Sequence, residues 1–364
     1  MPISRAFAGL RVILLLIKLI FELTVRFPFL FLKYSIPAFR PHPSWSLRAS
    51  LKTRVSKTIL GLLGLVRYSP SLVLKPGKDG NQFQLIEAAK DLTGVAASTK
   101  IAPVTIHGTW YPCPPPSEYA GRIAIHFHGG AYVSLSGRPA DSGWSGNILA
   151  KYIGGYAFLP EYRLASREDG AFPAQLQDAI AAYQYILSCG TDPSNIIIGG
   201  DSAGGHLIIS LLRYIHDNKS VLPAPRAAML WSPAVDWASP KDTAKTYSHR
   251  YYDTDLIPAD WLAWGVEEFL KGVDIKDPII RSYVVPVGHP FETTTQLWFS
   301  LCGVEILYDD ALKFAREMEG FGCSVRIHTA AHAPHDLFYG ASIGFEHEAE
   351  VAFKDAGTWL ASLD

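Results

Sequence analysis

Cysteine is scarce in this chain of 364 residues, and the four cysteines lie far apart in the sequence. Cys113, Cys189, Cys302 and Cys323 form no CxxC pair, so their spacing predicts neither a zinc site nor a disulfide framework. Blocks of basic residues are also absent, and the formal net charge is −1. A chain with this charge lacks the basic surface typical of nucleic-acid-binding proteins, so we expect no nucleic-acid partner. From the cysteine spacing we also expect no metal ion.

An uninterrupted apolar run that would span a membrane is missing too. Residues 7–32 are almost all apolar, but four charges interrupt them at spacings of seven, four and four residues: Arg11, Lys18, Glu22 and Arg26. On a helix these charges form one narrow stripe. Each would cost about 2.5 to 3.5 kcal/mol at the centre of a spanning helix, and a cleaved secretory signal normally has an uninterrupted apolar centre.

Three interpretations of this segment stay open. It forms a helix in the plane of a membrane interface, a bitopic anchor, or a helix packed on the protein as part of a cap. We prefer the first, and expect residues 1–34 to form a membrane-associating helix at the endoplasmic reticulum or another internal membrane. Pro28 is expected to stop or kink this helix. Residues 35–80 are expected to form a linker and cap helices, one of them over 47–66.

From residue 81 onward, short apolar runs alternate with helical patterns. Eight runs are typical of strands, at 83–87, 104–111, 123–127, 156–159, 195–198, 227–230, 297–301 and 325–328. Four helical patterns follow strand-like runs, at 174–188, 205–216, 309–321 and 346–360. This alternation predicts an α/β fold with a doubly wound, mostly parallel sheet. We expect residues 81–364 to form one domain, with the oligomeric state left open.

The stretch 236–286 breaks this alternation. Its aromatic residues, between the sixth and seventh predicted strands, include Trp237, Tyr247, Tyr251, Tyr252, Trp261, Trp264 and Phe269. Any one of them is expected to be ordinary core of an inserted segment. As a group they indicate a bulky, apolar ligand cavity under a cap.

Two glycine-rich segments follow strand-like runs in a fixed order. The first is HGGAY at 128–132, after the run 122–127, and the second is GDSAG at 200–204, after the run 196–198. A Gly-x-Ser-x-Gly sequence between a strand and a helix places its serine on a tight turn, with the hydroxyl exposed above the sheet. Glycine amides at the end of the other strand are positioned to form an oxyanion hole.

These two motifs, together with EYRLA at 161–165 and FPAQLQDA at 172–179, resemble the hormone-sensitive-lipase group of esterases within the α/β-hydrolase fold. The likeness covers about residues 80 to 360, and the loop containing Pro334, His335 and Asp336 resembles that of fungal members. The resemblance implies an α/β-hydrolase with a helical cap inserted at about 236–286. One departure is Ala131, where many members have a third glycine. Because the oxyanion donor is a backbone N–H, alanine should be tolerated there.

Acyl transfer needs a nucleophile, a base, an acid that orients the base, and donors for the oxyanion. Ser202 is the candidate nucleophile, and in this fold the acid and the histidine follow it in that order along the chain. The resemblance selects Glu305 as the acid, because residues 305–309 match the Asp-x-Leu-x-Asp pattern of many relatives with Glu in the first position. Asp309 is the alternative, although its place at a helix start is typical of a solvated residue favoured by the helix dipole.

Three histidines, His328, His332 and His335, compete for the role of base. His335 is preferred from its loop, and His332 is the second choice. We expect a Glu305 carboxylate oxygen within about 3.2 Å of His335 Nδ1. A contact from Asp309, Asp310 or Asp336 instead would mean that the register taken from the family is wrong.

Backbone N–H groups are the expected oxyanion donors: Gly129, Gly130, Ala131 and Ala203. The residues predict a serine hydrolase that cleaves a hydrophobic carboxylic ester through an acyl-enzyme, without a cofactor. A steroid ester, a polyketide-type ester or a short acylglycerol, reached from a membrane surface, fits this expectation, whereas the substrate-binding residues are not identified. Two alternatives stay open: an acyltransferase with the same acyl-enzyme, and a noncatalytic small-molecule receptor on the same scaffold.

Overall fold

The computed structural model describes residues 13–219 and 221–364, and in these residues eight strands form one sheet. The strands are β1 (Phe83–Ile86), β2 (Ile106–Tyr111), β3 (Ile123–Phe127), β4 (Tyr156–Glu161), β5 (Ile196–Asp201), β6 (Ala227–Trp231), β7 (Gln296–Cys302) and β8 (Val325–Ala330). Their order in the sheet is β1-β2-β4-β3-β5-β6-β7-β8. Each strand coincides with one of the eight apolar runs of the sequence.

Most neighbouring strands run parallel. β2 pairs antiparallel with both β1 and β4, and all other pairs, from β4 through β8, are parallel. The strands at the centre are buried on both faces, which explains why they contain continuous apolar residues instead of alternating ones. The predicted α/β fold with a mostly parallel sheet is confirmed.

Helices precede, connect and follow the strands of the sheet. They are α2 (Leu47–Val66), α3 (Pro139–Leu149), α4 (Ala174–Ser188), α5 (Ala203–Asp217), α6 (Thr243–Tyr247), α7 (Ala259–Phe269), α8 (Pro278–Val284), α9 (Tyr308–Gly320), α10 (Leu337–Ile343) and α11 (Glu346–Ala361). The sequence patterns predicted α2, α4, α5, α9 and α11 to within two residues at each end. They did not predict α3, whose sequence PADSGWSGNIL has little apolar periodicity and several weak helix formers, or the short α10.

A cap covers the carboxyl end of the sheet. The helices α6, α7 and α8 lie between β6 and β7, within the stretch 236–286, and α2 packs against α7. Helix α7 approaches the HGGAY segment closely through Gly265, where a Cβ atom would lie only 2.9 Å from the Cβ of Ala131. A larger side chain at position 265 would therefore push the cap away from that segment.

The described part of the N-terminal helix, α1, is residues 13–35. It contains the π-helical turn Glu22–Arg26, and after that turn it continues through Pro28 to Ser35. Of the two effects expected of Pro28, a stop or a kink, the stop is wrong. The wider π-helical turn just before the proline, where Phe27 N–H donates to the Glu22 carbonyl, shifts the hydrogen-bond register of the backbone. Arg11, the first residue of the predicted charged stripe, lies outside the described residues.

Helix α1 turns part of its charged stripe toward the protein. Glu22 is 1% exposed and pairs with Arg26, and Leu30 and Tyr34 are buried on the same side, against α2. Large apolar side chains point outward along the rest of the helix, Leu32 being 69% exposed. Within residues 13–219 and 221–364, the structure contains no helix with both the length and the apolar character needed to cross a membrane.

Candidate active site

Ser202 stands on a sharp turn between β5 and α5. Its backbone has φ 54° and ψ −115°, a conformation that costs a non-glycine residue free energy and that persists only where the surroundings enforce it. The Ser202 N–H donates to the Trp231 carbonyl (2.8 Å), and the Ser202 carbonyl accepts from the N–H of His206 and of Ala234. The turn also needs Gly204, because a Cβ atom there would overlap the Phe127 carbonyl.

Glu305 and His335 meet at the same edge of the sheet. Glu305 follows β7 and His335 follows β8, and their side chains are buried. Glu305 Oε2 lies 2.6 Å from His335 Nδ1, within the distance expected from the sequence. The other oxygen, Oε1, accepts from the Cys302 N–H (2.9 Å), so both carboxylate oxygens are fixed.

The Glu305 carboxylate sets the protonation of the histidine. Burial alone would lower the pKa of His335, but the hydrogen bond and the negative charge of Glu305 outweigh burial and raise that pKa to about 9. Burial raises the pKa of Glu305, and His335 opposes this effect. The pair therefore stabilises an imidazolium, which is the form that a histidine adopts after it takes a proton from a nucleophile.

The competing residues lie elsewhere. Asp309 is in the first turn of α9, where it forms an exposed ion pair with Arg250. His332 is exposed, and its ring packs on that of His42. His328 lies 3.3 Å from Asp355. None of these contacts places Asp309, His332 or His328 beside Ser202.

The HGGAY segment forms the loop after β3, and its N–H groups differ in what they contact. Gly130 and Ala131 have positive φ values of 102° and 52°, and in the described part of the chain their N–H groups have no protein acceptor. The Ala203 N–H, at the first position of α5, likewise has no protein acceptor among the described residues. The Gly129 N–H instead donates to Asp201 Oδ2 (2.8 Å). The expectation that Gly129 is an oxyanion donor therefore disagrees with the structure, because its N–H already has a buried acceptor.

The residues next to Ser202 and His335 in the chain contact each other. Asp201 precedes Ser202, Asp336 follows His335, and the two aspartate side chains share a hydrogen bond. Among the described residues, no hydrogen bond joins Ser202 Oγ to the imidazole of His335. In substrate-free enzymes such contacts are often long and shorten when substrate binds.

The cap aromatics support the site more than they line a cavity. Trp237 and Phe269 are buried and pack against Tyr132 and His206, with the rings of Tyr132 and Phe269 stacked 4.4 Å apart. The Tyr132 hydroxyl lies 2.7 Å from His206 Nδ1. These side chains fix the loop that carries Gly130 and Ala131, so the expected apolar cavity is partly filled by the protein itself.

One functional residue of the cap was missed by the sequence interpretation. Asp255 is completely buried, and its Oδ2 accepts from the Ile306 N–H at 2.6 Å. The neighbouring Thr254 hydroxyl donates to the Val304 carbonyl. Together these contacts hold the loop that presents Glu305, but Asp255 lies in an irregular segment where no spacing signals a partner.

Comparison with known proteins agrees with this arrangement. A family model described as alpha/beta hydrolase fold matches residues 124–339. The acetyl-hydrolase of Streptomyces hygroscopicus is 29% identical over 196 residues, which are 54% of this chain and 61% of that protein. The ethyl acetate hydrolase of Pseudomonas putida is 26% identical over 230 residues, 62% of this chain and 68% of that protein.

A solved structure of an esterase from the bacterial hormone-sensitive lipase family superimposes with a TM-score of 0.59. It is 22% identical and covers 93% of this chain and 97% of its own. The family model spans more than half of the chain, and its range includes the serine turn, the HGGAY loop and the acid and histidine loops. The chain therefore belongs to the alpha/beta hydrolase fold family, in its hormone-sensitive-lipase-like group of esterases and lipases.

Proposed function

We propose that this protein is a serine hydrolase that cleaves carboxylic esters, with Ser202 as nucleophile, His335 as base and Glu305 as the acid that orients it. The observation that carries the proposal is the buried Glu305–His335 pair, 2.6 Å apart, at the sheet edge where Ser202 is held in a strained turn. A noncatalytic receptor would need neither the strain nor the pair, so the enzyme is favoured.

The reaction follows from the positions of these groups. Ser202 Oγ attacks the ester carbonyl carbon while His335 takes the hydroxyl proton, and the negative charge that develops on the carbonyl oxygen is bound by backbone N–H groups. Gly130, Ala131 and Ala203 supply those donors. The intermediate then loses the alcohol, which takes its proton from His335. Water attacks the acyl-enzyme by the same route, and the carboxylic acid is released.

The relatives bear on the substrate. Those compared above are named for hydrolysis of acetyl groups and of ethyl acetate, which supports a carboxylic ester as the substrate class. That the ester is hydrophobic is proposed from the aromatic composition of the stretch 236–286 alone. We also place the chain with the fungal members of the group, on the sequence of the loop that contains Pro334, His335 and Asp336.

A fluorophosphonate probe tests the proposed nucleophile directly. The probe reacts covalently with an activated serine, so the wild-type protein is expected to become labelled at Ser202, and Ser202→Ala is expected to remain unlabelled. Ser210→Ala, which changes a buried serine of α5 outside the site, serves as the matched control and should label like the wild type. Labelling of Ser202→Ala at the wild-type rate would contradict the proposal.

Helix α1 supports a second proposal, that the protein associates with a membrane. Outward-facing apolar residues of this helix include Ile17, Ile20 and Leu23, each more than half exposed. Exposed apolar patches of this extent mark interaction surfaces. Because Glu22 and Arg26 face the protein, the apolar side of the helix is left to contact lipid. We extend the proposal to the endoplasmic reticulum or another internal membrane, which microscopy of the tagged protein would test.

Removal of α1 is expected to release the protein from membranes. The full chain should sediment with membranes, whereas a variant that begins at Pro37 should stay in the supernatant and keep its labelling by fluorophosphonate. Alkaline carbonate distinguishes the topologies: release favours a helix in the interface, and retention favours a spanning anchor. A full chain that remains in the supernatant without detergent and binds no lipid vesicles would overturn both.

A further inference from the structure

Asp201 is a hub of hydrogen bonds beneath the active site. Its Oδ1 accepts from His126 Nε2 at 2.8 Å, and its Oδ2 accepts from the Gly129 N–H at 2.8 Å. Burial lowers the pKa of His126 to about 3, so this imidazole is neutral and its Nε2–H is the donor. Asp201 thus fixes Gly129 of the loop after β3. The two residues that follow Gly129, Gly130 and Ala131, carry the proposed oxyanion donors.

Asp336 contacts Asp201 from the histidine loop. Its carboxyl group is buried and hydrogen-bonds to that of Asp201, while its Oδ1 accepts from the Phe338 N–H at 2.9 Å. Asp336 has φ 62° and ψ 107°, a strained conformation for a residue with a side chain. Asp336 is the N-cap residue of α10. This role does not by itself require the strained conformation, because many N-cap residues adopt ordinary backbone angles.

Two buried carboxyl groups in hydrogen-bond contact cannot both be ionised, because like charges at that distance repel strongly in a low-dielectric site. One of them must carry the proton that joins them. Asp201 already accepts two N–H donors, which favours its ionised form, whereas Asp336 accepts one among the residues that the structure describes. We propose that Asp336 is a neutral acid that donates its proton to the Asp201 carboxylate, and that this acid pair is a positioning device for the oxyanion loop.

The charges around the pair agree with this assignment. Besides Asp201, the titratable groups that face Asp336 are His335 beside it, His126 on β3 and Cys302 on β7. Burial and the nearby Asp201 charge raise the pKa of Asp336 well above its ordinary value, while the pKa of Asp201 is raised by burial only to about 6. The directions of these two pKa shifts agree with a proton held by Asp336.

The acid pair connects three loops of the site. Asp336 belongs to the histidine loop, Asp201 to the serine turn, and the Gly129 N–H to the oxyanion loop. Loss of the proton between the carboxyls would leave two negative charges in contact and would separate the histidine loop from the other two. The pair thus links the position of the base to that of the oxyanion donors, and it serves the ester hydrolysis proposed above.

Two variants of Asp336 separate a proton donor from a side chain that only fills space. Asp336→Asn keeps a neutral donor to Asp201, whereas Asp336→Leu has a similar size and no donor. Because a displaced oxyanion donor acts mainly in the transition state, Asp336→Leu is expected to lose about tenfold or more in kcat with little change in KM. Asp336→Asn should retain a kcat at least about fivefold above that of Asp336→Leu. Equal kcat in the two variants would overturn the proposal.

An infrared difference spectrum gives a readout that is independent of activity. Wild type minus Asp336→Asn at neutral pH should contain the carbonyl band of one protonated carboxylic acid, since other buried acids such as Glu161 cancel in the difference. Absence of this band would show that Asp336 is ionised and would overturn the acid pair. If instead the band is present and the wild type hydrolyses no ester, the acid pair stands and the proposed function fails.

Discussion

Ser202→Ala is expected to lower kcat for p-nitrophenyl acetate or butyrate by roughly 10⁴-fold or more. Without Oγ there is no nucleophile for the acyl-enzyme, and the remaining groups can only bind the ester and polarise its carbonyl. The strained turn should persist, because backbone hydrogen bonds to Trp231, His206 and Ala234 hold it. KM should change much less than kcat, since the hydroxyl contributes little to substrate binding.

The comparison requires wild type and variant purified in the same way, with the fluorophosphonate signal used to measure active sites. A residual activity that the probe cannot titrate then belongs to a contaminating esterase. Melting temperatures of the two proteins should agree closely, which separates loss of chemistry from loss of fold. Hydrolysis by Ser202→Ala at the wild-type rate, with contamination excluded, would contradict the triad.

The sequence predicted the sheet well because its strands are buried on both faces. The run 196–198 is Ile-Ile-Ile, and 123–127 contains a single polar residue, His126. Short apolar runs that are rich in β-branched residues and flanked by glycine favour buried strands over helices. The serine turn was also predictable, since the conformation at Ser202 requires small neighbours, and the glycines around it report that requirement directly. Residues 305 and 335 were harder to select, and they depended on the resemblance to a family.

Long-range contacts were not predictable in the same way. The Gly129 N–H looks like an oxyanion donor from its place in the loop, and only the three-dimensional contact with Asp201 shows that it is occupied. Asp255 supports the acid loop from a segment of the cap that lies 50 residues earlier in the chain. Similarly, the sequence does not show that Glu22 is buried, because its burial depends on the packing of α1 against the protein.

Glu305→Gln is expected to lose far more activity than Asp309→Asn. The glutamine keeps the size of the side chain but removes the charge that stabilises the imidazolium of His335, so kcat should fall by roughly 10² to 10⁴-fold. Asp309→Asn changes only an exposed ion pair with Arg250, and its effect should stay within about twofold. The two variants are well matched, because each replaces a carboxylate by its amide within the segment 305–309.

The pH profile identifies the reason for the loss. Only neutral His335 can take the serine proton, so kcat/KM of the wild type should rise with pH up to the pKa of this histidine, about 9. In Glu305→Gln the raising effect of the carboxylate is gone while burial still lowers the pKa. The rise in kcat/KM should therefore move to lower pH, although its maximum is smaller. In Asp309→Asn the rise should stay where it is in the wild type. If Asp309→Asn shifted the rise and Glu305→Gln did not, the acid of the triad would be Asp309, and the serine hydrolase would stand with a different register.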